Sequence, residues 1–262
     1  SLPRGEDREK AMTYETIRYA EEGGIATITL DRPEVMNALN RRMRAEITAA
    51  VTEAAARQRV IVLTGTGRAF CSGQDLGDPS LAGDFDVGRV LAEEYEPMLR
   101  AIVAARVPVI AAVNGTAAGA GANLALAADV VIAAEGASFI QAFTRIGLIP
   151  DAGGTYTLPR TIGVARAMGA ALFADRITAR QASDWGMIWE CVPDAEFETL
   201  WRARAAALAA GPGHAHARVK EAMRASLSNG FDAQLALEAR LQGECGATAD
   251  FREGVAAFLE KR

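Results

Sequence analysis

The chain has 262 residues, of which 50% are apolar and 23% charged, enough to bury a full core as one domain with appendages or as two domains. Its net charge of -5 disfavours a nucleic-acid or anionic-membrane surface. No apolar run approaches the ~20 residues needed to span a bilayer.

Residues 1–12 are charged and lack the apolar core of a secretory signal. They read as an N-terminal extension, with Met12 placed as a native start. Cys71, Cys191 and Cys245 lie far apart and form no Cys-x-x-Cys pair. That usage fits a reducing cytoplasm and disfavours a disulfide framework or a zinc site. Strands are expected over Tyr14–Tyr19 and Ile25–Leu30, joined by turn chemistry in residues 21–24. Asn40 is placed to cap an amphipathic helix over Arg41–Ala56. Val60–Leu63 is wholly apolar, as in a strand covered on both faces. Residues 77–86 read as a surface loop. A helix is expected over Val90–Val103, kinked or divided by Pro97.

The centre of the chain is the stretch from Val113 to Asp129, set between apolar runs at Val107–Val113 and Val130–Ala134 that read as buried strands. It holds Gly115, Gly119 and Gly121, then a short helical pattern over Ala122–Ala128. A helix start without bulky side chains leaves free amides and favours negative charge. It can bind a phosphate, or an oxyanion that exists only during a reaction. Close helix–strand packing selects the same small residues. The turn at Ser72, Gly73 and Gln74, which follows another strand, is placed to offer an N–H to the same point as the helix start at Ala120. Neither glycine pattern makes a nucleotide-binding fingerprint.

Further on, Asp151 stands between Pro150 and the glycines 153 and 154, where an aspartate is commonly a helix cap. Helical patterns follow around Ile162–Leu172 and Thr178–Trp185, then a last short strand at Cys191–Pro193. From Phe197 onward the pattern is helical, broken at residues 210–213 and 228–230. The only histidines, His214 and His216, stand at the first break and read as solvated helix-start residues. Their scarcity weakens any histidine triad or histidine–metal scheme.

Three stretches, Gly67–Leu76, Val113–Asp129 and Gly147–Gly154, together resemble the enoyl-CoA hydratase/isomerase (crotonase) superfamily. Residues 31–40 and 249–261 extend the likeness over nearly the whole chain. The resemblance implies an α/β fold: a ClpP/crotonase-like spiral of β-β-α units over residues 13–195, then a helical trimerisation region over 196–262. It implies an acyl-CoA thioester as substrate and a homotrimer or dimer of trimers. No nucleic-acid or membrane partner is implied. Nor are a metal and a cofactor, beyond the coenzyme A that is part of the substrate. The thioester oxygen would be held by the main-chain N–H groups of Gln74 and Ala120. Hydratases of the family carry two glutamates where this chain has Asn123 and Phe143, and neither residue moves protons as a base. Asp151 matches the acid/base of several isomerases of the family. By the same likeness Met36, Ala38, Leu39, Ser72, Asp75 and Leu76 line the CoA channel, and Phe258 and Lys261 reach a neighbour's CoA. Met36 and Leu39 as ordinary core, and Lys261 as a solvated tail, are the alternatives. Phe85, Phe143 and Tyr95 are candidates to shape the acyl pocket.

Within the family, residues 69–76, 119–121, 148–154, 185–189 and 251–254 look most like isomerases acting on the thioester of a ring epoxide from aerobic phenylacetate breakdown. One carboxylate that takes a proton at one carbon and returns it at another suffices for isomerisation. A hydratase with a non-standard base, and a non-catalytic acyl-CoA-binding subunit, are the other readings.

Overall fold

The computed structural model describes residues 13–79 and 86–260. The expected N-terminal extension, Phe85 and Lys261 therefore lie outside the described residues. The chain opens with β1 (Ile17–Glu22) and β2 (Ile25–Leu30). Strand β1 begins three residues later than the Tyr14–Tyr19 pattern suggests. Its antiparallel register, Ile17 opposite Leu30 through Glu22 opposite Ile25, leaves only Gly23 and Gly24 for the turn. Both take positive φ, 58° and 81°, as a tight hairpin turn of the correct twist requires. The two-residue turn pulls Glu21 and Glu22 into the strand.

Helix α1 (Arg41–Arg57) is capped as expected, with Asn40 Oδ1 accepting from the Met43 amide at 2.8 Å. It covers β3 (Val60–Gly65), which leads into β4 (Ala69–Cys71). Next come α2 (Val87–Val90), a wide π turn (Leu91–Tyr95) and α3 (Glu96–Ala104). The backbone stays right-handed helical across both junctions. Pro97 therefore does not divide the helix. It falls in the first turn of α3, and the wide turn just before it absorbs the amide that proline lacks.

Strands β5 (Val109–Val113) and β6 (Thr116–Ala118) lead into α4 (Ala120–Leu126), which starts two residues earlier than the apolar pattern indicates. Strands β7 (Val130–Ala134) and β8 (Ser138–Ile140) follow, then α5 (Gly154–Phe173), interrupted at Gly163 where φ is 76°. Short elements close the core: β9 (Ile177–Thr178), α6 (Ala179–Asp184) and β10 (Glu190–Val192). One sheet has the order β1-β2-β3-β5-β7-β10 and a second the order β4-β6-β8-β9. After the β1–β2 hairpin, which lies wholly in the large sheet, the pairs β3–β4, β5–β6 and β7–β8 each give one strand to each sheet before a helical segment returns. That is the spiral of β-β-α units, and its inner strands pair in parallel. The buried face of this spiral is a single apolar cluster, with every residue of β5 buried.

Helix α7 (Phe197–Ala210) packs on the large sheet through Phe197, Trp201, Ala205 and Ala209. Helices α8 (Gly213–Ala225) and α10 (Ala249–Leu259) bury no residue, and α9 (Phe231–Gly246) buries only Leu241. Asp129 ties α8 to the core by accepting from Lys220 Nζ at 2.6 Å, Arg224 Nη2 at 2.7 Å and the Val109 amide at 2.8 Å. His214 and His216 do open a helix, α8, but they are half-buried rather than solvated, and the His216 ring packs against Gly211. Among the described residues, no helix is long and apolar enough to cross a membrane.

Candidate active site

The central stretch and the 72–74 turn meet. Gly73 has φ +96°, and a Cβ placed on it would lie 2.8 Å from Ala118 O and 3.4 Å from the Ala120 nitrogen. Only glycine combines that backbone with that approach. Behind it, a Cβ on Gly121 would lie 2.3 Å from Cys71 O, so α4 sits directly on the end of β4. Among the described residues, no hydrogen bond leaves the main-chain N–H of Gln74 or of Ala120. Gly119 is the N-cap of α4 and supplies no side-chain cap. The two amides at this junction are therefore available to an acceptor from outside.

Asp151 completes the junction. It does not cap α5: the N-cap is Gly153, without a side-chain bond, and Asp151 Oδ1 is buried with no hydrogen-bond partner. The Asp151 carbonyl, by contrast, accepts from the Gly154 amide at 2.8 Å and from Asn123 Nδ2 at 2.7 Å. Asn123 lies one helical turn after Ala120, so this bond pins the Asp151 loop to the same helix start. Asn123 in turn exchanges hydrogen bonds with Gln141, and both side chains are buried. A Cβ on Gly154 would lie 2.4 Å from Asn123 Nδ2, which explains the glycine there. Burial raises the Asp151 carboxyl from its usual 3.8 to about 6. Cys71, next to the site, is pushed up to about 12 by burial and is a neutral thiol at physiological pH.

The other expected residues divide. Phe143 is buried, with its ring facing Gly119. Met36 is half open, with left-handed backbone at the end of a 3-10 turn, and its carbonyl accepts from the Ser72 amide at 3.0 Å. Ser72 Oγ is used by Val35 O, and Ala38 is buried with its carbonyl taken by Arg32. The Leu39 side chain is fully buried, and its main chain pairs with the Gly73 carbonyl and the Asp75 amide. Asp75 carries an ion pair with Arg32 at 2.8 Å and accepts from the Gly77 amide. Leu76 and Phe258 are open to solvent. Tyr95 is buried, and its hydroxyl donates to Gln74 Oε1 at 2.7 Å. Arg44 and Gln141 were not singled out by the sequence reading. The available signal was a charged residue on the otherwise apolar face of α1.

A β-β-α spiral that sets two free amides side by side, and pins the loop of one desolvated carboxyl to the same helix, can stabilise an oxyanion beside an acid/base group. The enoyl-CoA hydratase/isomerase family pattern matches residues 20–262. The chain is 67% identical to a probable enoyl-CoA hydratase of Rhodobacter capsulatus, over 96% of this chain and 97% of that one. It is 45% identical to the 1,2-epoxyphenylacetyl-CoA isomerase of Escherichia coli, over 92% and 94% respectively. A solved structure of a putative enoyl-CoA hydratase from Streptomyces coelicolor superposes with a TM-score of 0.90 at 35% identity, covering 100% of this chain and 98% of that one. The protein belongs to the enoyl-CoA hydratase/isomerase family.

Proposed function

We propose that the protein is an acyl-CoA isomerase that moves a proton with one carboxylate beside a held thioester oxygen. The observation that carries this reading is Asp151, an acid with a buried, unpartnered oxygen on a loop pinned one helical turn from the Ala120 amide. Asp151 takes a proton from the carbon next to the thioester. The C–H electrons pass into the carbonyl, and its oxygen becomes negative. The amides of Gln74 and Ala120 donate to that oxygen, and losing one such donor costs about 3–4 kcal/mol of barrier. The electrons then return as the same acid delivers the proton two carbons further on, leaving a conjugated double bond. Asn123 and Phe143 cannot serve as a second base, and Asn123 is already committed to Gln141 and to the Asp151 loop.

The acyl group proposed is 2-(1,2-epoxy-1,2-dihydrophenyl)acetyl, rearranged to the oxepin, with 3-enoyl chains as a second substrate class. The motif set and the activity for which the Escherichia coli relative is named support it. The name of the Rhodobacter capsulatus relative favours a second reading, hydration with Asp151 as sole base. Parallel assays on the epoxide thioester, a 3-enoyl-CoA and crotonyl-CoA separate the two. Isomerase activity predicts turnover of the first or second, with crotonyl absorbance lost only at background rate. Rapid crotonyl-CoA hydration with neither rearrangement would overturn it.

Residues 196–262 are proposed to build a trimer, or a pair of trimers, and residues 13–195 to hold the site. Support comes from helices without a core of their own that expose Met223, Phe231, Phe251 and Phe258. Light scattering is expected to give three or six times the 27.6 kDa chain mass, and a monomer would refute the assignment. A cytoplasmic setting is proposed from the free thiols of Cys71, Cys191 and Cys245.

A further inference from the structure

The Gln74 side chain turns away from the junction and into a buried polar cluster. Its Oε1 accepts from Arg44 Nη1 at 2.9 Å and from the Tyr95 hydroxyl at 2.7 Å. The same Arg44 nitrogen donates to Leu39 O at 2.7 Å. Leu39 is the residue whose amide donates to Gly73 O and whose carbonyl accepts from the Asp75 amide. One guanidinium therefore grips both the side chain of Gln74 and Leu39, whose isolated bridge brackets the Gln74 main chain. Glu94 neutralises Arg44 through Nε and Nη2, and the guanidinium lies 4.8 Å from the centre of the Tyr95 ring. Glu94 and Tyr95 both come from the π turn ahead of α3, a kind of helix irregularity that tends to mark functional positions.

The cluster is not explained by stability. Arg44 is 1% exposed, and a buried ion pair commonly adds nothing over an apolar replacement of equal volume. What a fully satisfied buried network does supply is a single geometry. The peptide plane that carries the Gln74 N–H is held through Gly73 O, which accepts from the Leu39 amide. Its neighbours are fixed on the same side: the Gln74 side chain through Oε1 and the next peptide through the Asp75 N–H to Leu39 O.

We propose that Arg44 and Tyr95 are positioning residues for the oxyanion-holding turn, fixing the direction of the Gln74 main-chain N–H by clamping the Gln74 side-chain oxygen between them. The inference rests on the CoA-thioester reading above. It makes the side chain at position 74 part of the machinery, rather than a passenger on a backbone donor.

Two mild variants test it: Tyr95→Phe removes one hydroxyl, and Gln74→Met removes the shared acceptor at nearly constant volume. In each, kcat on the 3-enoyl-CoA should fall about 10- to 100-fold, as for a misplacement of an ångström or less. KM should stay within about threefold, since ground-state contacts are kept. Cinnamoyl-CoA bound to the wild type should absorb to the red of the free ester, because the amides polarise its carbonyl. In both variants that shift should shrink. The double variant should be no worse than the weaker single, because the two groups act as one unit. Wild-type kcat and a full red shift in both variants, even with a lowered melting temperature, would make the cluster purely structural and overturn the inference. If instead the wild type neither turns over nor shifts the probe, the CoA-thioester reading fails first and the inference falls with it. An active wild type inactivated by Asp151→Asn, but indifferent to Tyr95→Phe and Gln74→Met, would sink the positioning role alone.

Discussion

Asp151→Asn is expected to lower kcat by about 10³-fold or more while leaving the Kd for a CoA ester nearly unchanged. Asparagine fills the same space and removes only the proton-carrying function. Among the described residues, the carboxylates nearest the turn are already engaged: Asp75 is held by Arg32 and Glu94 by Arg44. The pH profile gives an independent reading. The base form is the ionised carboxylate, and burial lifts its midpoint to about 6. In the wild type, kcat/KM should therefore be flat above that pH and fall tenfold per unit below it. A flat profile from pH 5 to 8, or an active Asp151→Asn, would remove this residue from the chemistry.

The same shift bears on stability, with the opposite sense to a salt-bridged carboxylate. A folded-state value above the unfolded one means that the fold binds the neutral form better. The group costs nothing below about pH 4, and the cost grows as the unfolded chain ionises first. It is complete above about pH 6, where both states are ionised but the folded carboxylate is the less well solvated. Asp151→Asn should thus melt higher than wild type at pH 7.5, by about 1–2 kcal/mol after allowance for solvent screening. The gain should vanish at pH 4. A stabilised, inactive variant is the signature of a strained functional group.

Where the pattern of residues was local, the sequence was legible. β2 alternates, β3 is continuously apolar, and Asn40 announces α1, so the hydrophobic period and a cap were sufficient. The site's backbone was legible for a related reason: glycines 73 and 121 record approaches that any side chain would block. What escaped was set at a distance. The start of β1 depends on its register against β2, and the helix around Pro97 depends on a π turn that no local period encodes. Arg44 joins residues 39, 74, 94 and 95 across a long stretch of chain. A charge on an apolar helix face could flag it, but its partners become visible only in three dimensions. Asp151 shows the limit most plainly. As a cap it would have accepted a hydrogen bond, and it is the absence of a partner for Oδ1 that separates an acid from a cap.

Gly73→Ala should cost kcat about 10²-fold with little change in KM, the loss typical of a displaced oxyanion donor. Two effects act together. The φ of +96° is one that L side chains rarely adopt, and the added methyl would stand 2.8 Å from Ala118 O, which is main chain and cannot rotate away. Relief comes only if the 72–74 turn backs off from β6 and α4. That movement carries the Gln74 N–H out of line with the Ala120 N–H. The ground-state thioester, which leans on the rest of the pocket, is affected less than the enolate, so the damage falls on kcat. Gly77→Ala is the control, since its φ is ordinary and its methyl would meet only the Asp75 carboxylate at 3.4 Å. It should retain wild-type kinetics and melting temperature. The carbonyl stretch of a ¹³C-labelled bound thioester reads the geometry directly: shifted to low frequency in wild type and Gly77→Ala, and near the free value in Gly73→Ala. An Ala variant at 73 that keeps both the shift and the rate would mean that these two amides do not hold the oxygen, whatever else the fold shares with its relatives.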